Sequence, residues 1–112
     1  MTIPTRLRQR EILDAQLAQC RQVDNSFNEG AVAALRWLTR GGHGPLTGAR
    51  AGFISFTTVV HELAAAEALI YGVASDRRDY ACGVEHALLW AEHAAPGPPV
   101  AAEAQNHVRG RR

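Results

Sequence analysis

At 112 residues the chain is long enough for one domain and too short for two, and a hydrophobic share of 46% excludes wholesale disorder. Twelve arginines, no lysine and eleven acids leave a formal net charge of +1, which excludes a polyanion binder driven by net charge alone. Cys20 and Cys82 stand far apart and outside any CxxC motif, which excludes a disulfide scaffold and makes both reduced thiols.

The opening, Met1 to Arg6, runs into charge rather than an apolar stretch, so it reads as carrying no export signal, and a cytoplasmic location is expected. Pro4 suits the first turn of a helix. From Leu13 a 4-3 spacing holds through Leu17, Cys20, Asp24, Phe27, Ala31, Ala34 and Leu38, one helical face kept over several turns. Asp24, Asn25, Ser26 and Asn28 interrupt it with residues that favour turns and caps. Two readings follow: one long helix to Arg40, kinked near 24–28, or two helices with Asn28 capping the second at Glu29. The unbroken phase favours the long helix.

Gly41 and Gly42 end this element, and Gly41 to Gly48 form a Gly/Pro-shaped interhelical loop. No strand pattern stands out; Phe53 to Val60 is the one stretch of strand-like composition, and its continuation is helical. A second helix is expected from about Gly52 to Tyr71, with a seam of Phe56, Val59, Leu63, Ala66 and Ile70 and a stop at Gly72. Ala51 to Ala74 is long and apolar, but His61, Glu62 and Glu67 interrupt it. Each acid costs roughly 2.5–3.5 kcal/mol at a bilayer centre, so a buried helix is expected rather than a membrane span. A third helix follows Ser75, its N-cap, and runs to about Ala94 with a seam of Tyr80, Val84, Ala87 and Ala91 beside Leu88 and Trp90. The short link makes the second and third helices an antiparallel hairpin. Pro96-Gly97-Pro98-Pro99 ends regular structure, and a flexible tail closing in Arg109, Arg111 and Arg112 is expected over 96–112.

Sites are sparse. His61-Glu62-Leu63-Ala64-Ala65 begins like a zinc-protease helix but has Ala65 where the second His belongs, and Glu-x-x-His is absent. Cys82 and His86 share a helix face and, with His61 and Glu62, form a mixed-ligand metal candidate; a small buried thiol beside a half-exposed His is the plainer reading. The glycine loop lacks the Gly-Lys-Ser/Thr end of a P-loop, though Arg40, His43 and Arg50 flank it and suit an anion. Arg6, Arg8 and Arg10, with the tail arginines, are candidate phosphate contacts without any helix-turn-helix, zinc-finger or RNA-recognition signature. Phe27, Trp37 and Trp90 are interface candidates that serve equally as core.

The expected fold is an all-α antiparallel bundle of three main helices over 1–95, the first long and kinked or broken near 24–28. The apolar stripe of that first helix calls for a partner chain, and a homodimer supplies one. The expected function is a non-enzymatic accessory protein, without a cofactor, acting by helix-mediated association with itself or another protein. Two alternatives stand beside it. One is a nucleic-acid accessory protein of a phage or plasmid from a GC-rich bacterium, a source suggested by the lysine-free composition. The other is a small His/Glu/Cys metal protein.

Overall fold

The computed structural model describes residues 7–51, 54–72 and 76–99, and among them the fold is almost wholly helical. The elements run α1 (Arg10–Cys20), α2 (Ser26–Arg40), β1 (Gly42–His43), β2 (Arg50–Ala51), α3 (Phe56–Tyr71) and α4 (Arg78–Ala91). The expectations for Arg6, for the Ser75 cap, for a helix start at Gly52 and for the chain beyond residue 99 lie outside the described residues.

The expected long first helix is two helices. After Cys20 the backbone tightens, with Gln22 N–H donating to the Gln19 carbonyl and Val23 N–H to the Cys20 carbonyl. Asn25 is then extended (φ −157°, ψ 169°) and its side chain accepts from Asn28 N–H at 2.8 Å. The cap is therefore Asn25 rather than Asn28. Its carboxamide satisfies a donor that a continuous helix would have spent on the preceding turn. The break leaves Asp24 exposed, while Leu13, Leu17, Cys20, Ala31 and Ala34 stay buried on either side of it. The apolar phase survives a turn that simply carries the chain back over its own core.

α1 lies on α2, so its stripe of Leu13, Leu17 and Cys20 is covered within the chain. The argument for a partner from that stripe falls away. The most extensive packing is between α2 and α4. Two glycines make it possible. A Cβ on Gly30 would run into the Tyr80 carbonyl, 2.9 Å from its carbon, and one on Gly83 into the Phe27 carbonyl, 2.8 Å from its carbon. The two backbones touch directly where they cross, and Ala31, Leu35, Val84, Ala87 and Leu88 close the core around that point.

Gly41 (φ 77°) and Gly42 (φ 99°) turn the chain out of α2 in conformations that other residues rarely adopt. The loop that follows is a small hairpin and not an irregular link. Gly42 pairs with Ala51 and His43 with Arg50 in an antiparallel ladder, and Gly44 N–H donates to the Ala49 carbonyl at 2.9 Å. Two residues per strand leave no alternation in the sequence to read.

Helix α3 starts at Phe56, later than expected, because Ser55 and Thr58 form a capping box: the Ser55 hydroxyl accepts from Thr58 N–H at 3.3 Å and the Thr58 hydroxyl from Ser55 N–H at 2.9 Å. Of its expected seam, Val59 and Ala66 are buried and Leu63 and Ile70 are half-buried, but Phe56 is 55% exposed. Phe56 sits in the first turn at the edge of the inner face that Val59, Glu62 and Ala66 hold, and its ring is left largely in solvent.

α4 ends at Ala91, three residues before the expected Ala94. His93 takes a left-handed conformation (φ 66°), its N–H donates to the Trp90 carbonyl, and Ala94 N–H donates to the Leu89 carbonyl. This is a Schellman turn built on His rather than the usual glycine, which is why no stop signal shows in the sequence. Arg8 then closes the helix end. Its backbone N–H donates to the Ala91 carbonyl at 2.8 Å and its Nε to the Trp90 carbonyl at 2.6 Å, with the guanidinium over the Trp90 ring at 4.8 Å. No helix among the described residues is long and apolar enough to cross a membrane.

Candidate functional site

The α2 end, the hairpin and the first turns of α3 enclose a cleft of about 360 Å³. Its architecture depends on Glu62, a charged side chain only 2% exposed. One carboxylate oxygen, Oε1, accepts from Leu46 N–H at 2.9 Å and Thr47 N–H at 3.2 Å, and the other accepts from the Thr47 hydroxyl. Gly44 lies flat against the carboxyl group, where a Cβ would sit 2.6 Å from its Cδ. Tyr80 adds a second tie from α4, donating to the Pro45 carbonyl at 3.3 Å. Burying the charge is tolerable because three donors meet it. In return the loop is fixed to α3, with Leu46 packed against the core beside it.

Beside this latch the cleft is walled by Trp37, Ala49 and Ala64, with Thr58, His61 and Arg50 completing the lining. Thr58 is spent on the α3 cap and Thr47 on Glu62 and on Ala49 N–H. Arg50 and His61 are exposed, and no carboxylate lies in ion-pair distance of Arg50 among the described residues. The Trp37 indole N–H is buried without an acceptor among the described residues.

The metal candidates do not meet. Glu62 has both oxygens engaged by the loop, while His61 next to it is exposed. His86 Nε2 lies 2.8 Å from the Gly97 carbonyl oxygen, and its ring meets Phe27 edge-on at 6.0 Å. Burial raises the Cys82 thiol above its ordinary range, with Glu85 and Asp79 adding to the effect and Arg78 opposing it, so it is not an activated nucleophile. Cys20 is pushed up to about 11 by burial, its thiol directed at the Gln16 carboxamide oxygen 3.4 Å away. Among the described residues no group of three His, Cys, Asp or Glu comes together to hold a metal ion.

The arginines separate as well. Arg8 is consumed in closing α4, and Arg10 lies 3.8 Å from Asp14 one turn on. Arg40 reaches back to the Thr39 hydroxyl, His43 is exposed on the hairpin, and Arg50 stands opposite it on the ladder. Only Arg50 belongs to the cleft. Trp37 and Trp90 are 3% and 5% exposed and pack in the core of the chain; Phe27 is half-buried against α4. Sequence reasoning missed Thr47, Ala49, Thr58 and Ala64 as cleft residues, and weighed Glu62 only as one member of a mixed-ligand metal candidate. The Ser55-x-x-Thr58 spacing was a visible sign of the cap; nothing in sequence ties Glu62 to a loop some fifteen residues upstream.

Comparison of the chain with protein-family models, with curated proteins and with solved structures gave no match to any of the three.

Proposed function

We propose that the protein is a non-enzymatic accessory protein that works by helix-mediated association, and that a second copy of the chain docks on the outer face of α3. The observation that carries this reading is the exposure of Phe56 at 55%, Val60 at 39% and Tyr71 at 77%. With exposed Ala64 and Ala68 they form one stripe along a 16-residue helix, interrupted by Glu67. Large side chains stand at the two ends of the stripe and small ones between them. Such a face complements itself when two copies meet antiparallel about a two-fold axis: Phe56 falls beside the partner's Tyr71, and the alanines let the backbones approach. The stripe has little charge with which to select an acidic or basic partner.

One helix pair covers less than the roughly 1,200–2,000 Å² of a standard stable interface. The dimer is therefore expected to be weak, dissociating on the order of micromolar or above. Sedimentation equilibrium across that range tests it. Phe56→Glu and Val60→Glu should each give a monomer at every concentration while leaving the helical circular dichroism and the unfolding midpoint intact. A wild-type chain that stays monomeric at about millimolar concentration removes the proposal.

A further inference from the structure

We propose that the cleft beside the Glu62 latch binds a small organic anion, its apolar body against Trp37, Ala49 and Ala64 and its anionic head on Arg50. This inference is independent of self-association through α3. The volume, about 360 Å³, lies within the range of small-ligand sites, and most of the lining is apolar, as such sites are. The polar groups decide the ligand's chemistry. The acceptors in the lining are already used: both Glu62 oxygens hold the loop, and the Thr47 and Thr58 hydroxyls accept from Ala49 N–H and Ser55 N–H. What remains free is led by a donor that cannot accept. Arg50 has no carboxylate partner among the described residues, and His61 offers a ring N–H.

A second, separate observation points the same way. The Trp37 indole N–H is buried, belongs to a residue of the cleft wall, and lacks an acceptor among the described residues, whereas buried donors in folded proteins are nearly always paired. Arg50 and the Trp37 indole can donate but not accept, and such groups select a ligand rich in acceptors. The buried Glu62 charge keeps the anionic head away from the cleft floor and out at the rim, where Arg50 can pair with a carboxylate in two parallel hydrogen bonds. The apolar walls select against a bare inorganic ion.

Phenylacetate is a suitable probe, followed by 1H–15N correlation spectra of the whole chain. Amides of Thr47, Ala49, Arg50 and His61 should shift together with the Trp37 indole resonance, while the Trp90 indole stays in place. A dissociation constant on the order of 1 mM is expected for a ligand of this size. Phenylacetamide should bind about tenfold more weakly, Arg50→Gln should weaken phenylacetate by a similar factor, and inorganic phosphate should leave the spectrum unchanged. Because Ala64 belongs to both the cleft and the outer stripe, the titration is repeated on Phe56→Glu. Binding retained there supports the site, and binding lost with the dimer overturns it. Silence at these residues up to about 20 mM phenylacetate also overturns it, as does equal affinity in Arg50→Gln.

Discussion

The α2–α4 crossing and the helix α3 use apolar residues to opposite ends. α2 buries eight of its 15 residues and α4 seven of its 14, while α3 buries three of its 16. Yet α3 has the most apolar sequence of the four helices. Apolar content alone therefore does not decide what is buried. At the crossing, Gly30 and Gly83 remove the side chains that would hold two helices apart, and small and large residues then surround a direct backbone contact. α3 packs on α4 with Val59, Glu62 and Ala66 buried and Leu63 and Ile70 half-buried beside them, while Phe56, Val60 and Tyr71 are left facing outward. The core is specified by how closely backbones can approach, and the surplus on α3 is the surface on which the proposed second copy would dock.

Adding carbon to each region is the sharpest way to test that contrast. Gly83→Ala adds one methyl group against the Phe27 carbonyl, and neither backbone can give way without moving the whole crossing. A loss of about 3 kcal/mol in urea denaturation is expected, a large share of a small domain's stability. Ala68→Leu adds three carbons to the exposed face of α3 and should stay within about 0.5 kcal/mol of wild type. Equal costs at the two positions would end the distinction between them.

The loop latch is the next largest effect. Glu62→Ala leaves Leu46 N–H, Thr47 N–H and the Thr47 hydroxyl without their acceptor. About 1–3 kcal/mol is expected, since these bonds reach a charged group but water can partly replace it at the half-buried loop. Amide exchange separates the latch from a general loss of packing: Leu46 and Thr47 should exchange faster while Leu35 and Leu88 at the crossing follow global stability.

Much of the fold was legible because helical periodicity records which face is buried. The seams through Leu13, Leu17, Ala31 and Ala34 and through Val84, Ala87 and Ala91 are inside. The misplaced ends have a common cause. Asn25, Ser55 and His93 set the boundaries through particular backbone angles and side-chain bonds, which several nearby residues could equally have supplied. That α2 and α4 would cross at Gly30 and Gly83 is a long-range fact that no local pattern records. The cleft was hardly legible at all. Arg50 and His43 were noticed as cations near a glycine loop, but Glu62 meets that loop only in three dimensions.

The two cysteines extend the comparison to reactivity. Cys20, the last residue of α1, is fully buried with its thiol raised to about 11, while Cys82 on α4 is half-buried and less completely shielded from solvent. At pH 8 iodoacetamide should modify Cys82 first, and Cys20 slower by a factor of roughly ten or more, because its reaction waits for α1 to open. Similar rates at both would mean that α1 is not held on α2 as tightly as its buried stripe implies.

The smallest effect lies at the end of α4, where Glu92 follows the last helical residue. Burial raises its carboxyl above the ordinary value of 4.5, and no cation offsets that shift. The folded chain therefore keeps this proton to a higher pH than the unfolded chain does. Between the two titrations the native state binds more protons, so stability falls as pH rises from about 4.5 upward and then levels off. Glu92→Gln should remove that slope and leave the chain slightly more stable at neutral pH, by less than the Glu62→Ala loss. Urea midpoints for both chains between about pH 4 and 7 measure it. Parallel profiles would show that the α4 end is wetter than the Schellman turn and the Arg8 contacts imply, and so less unlike α3 than the burial of its last residues suggests.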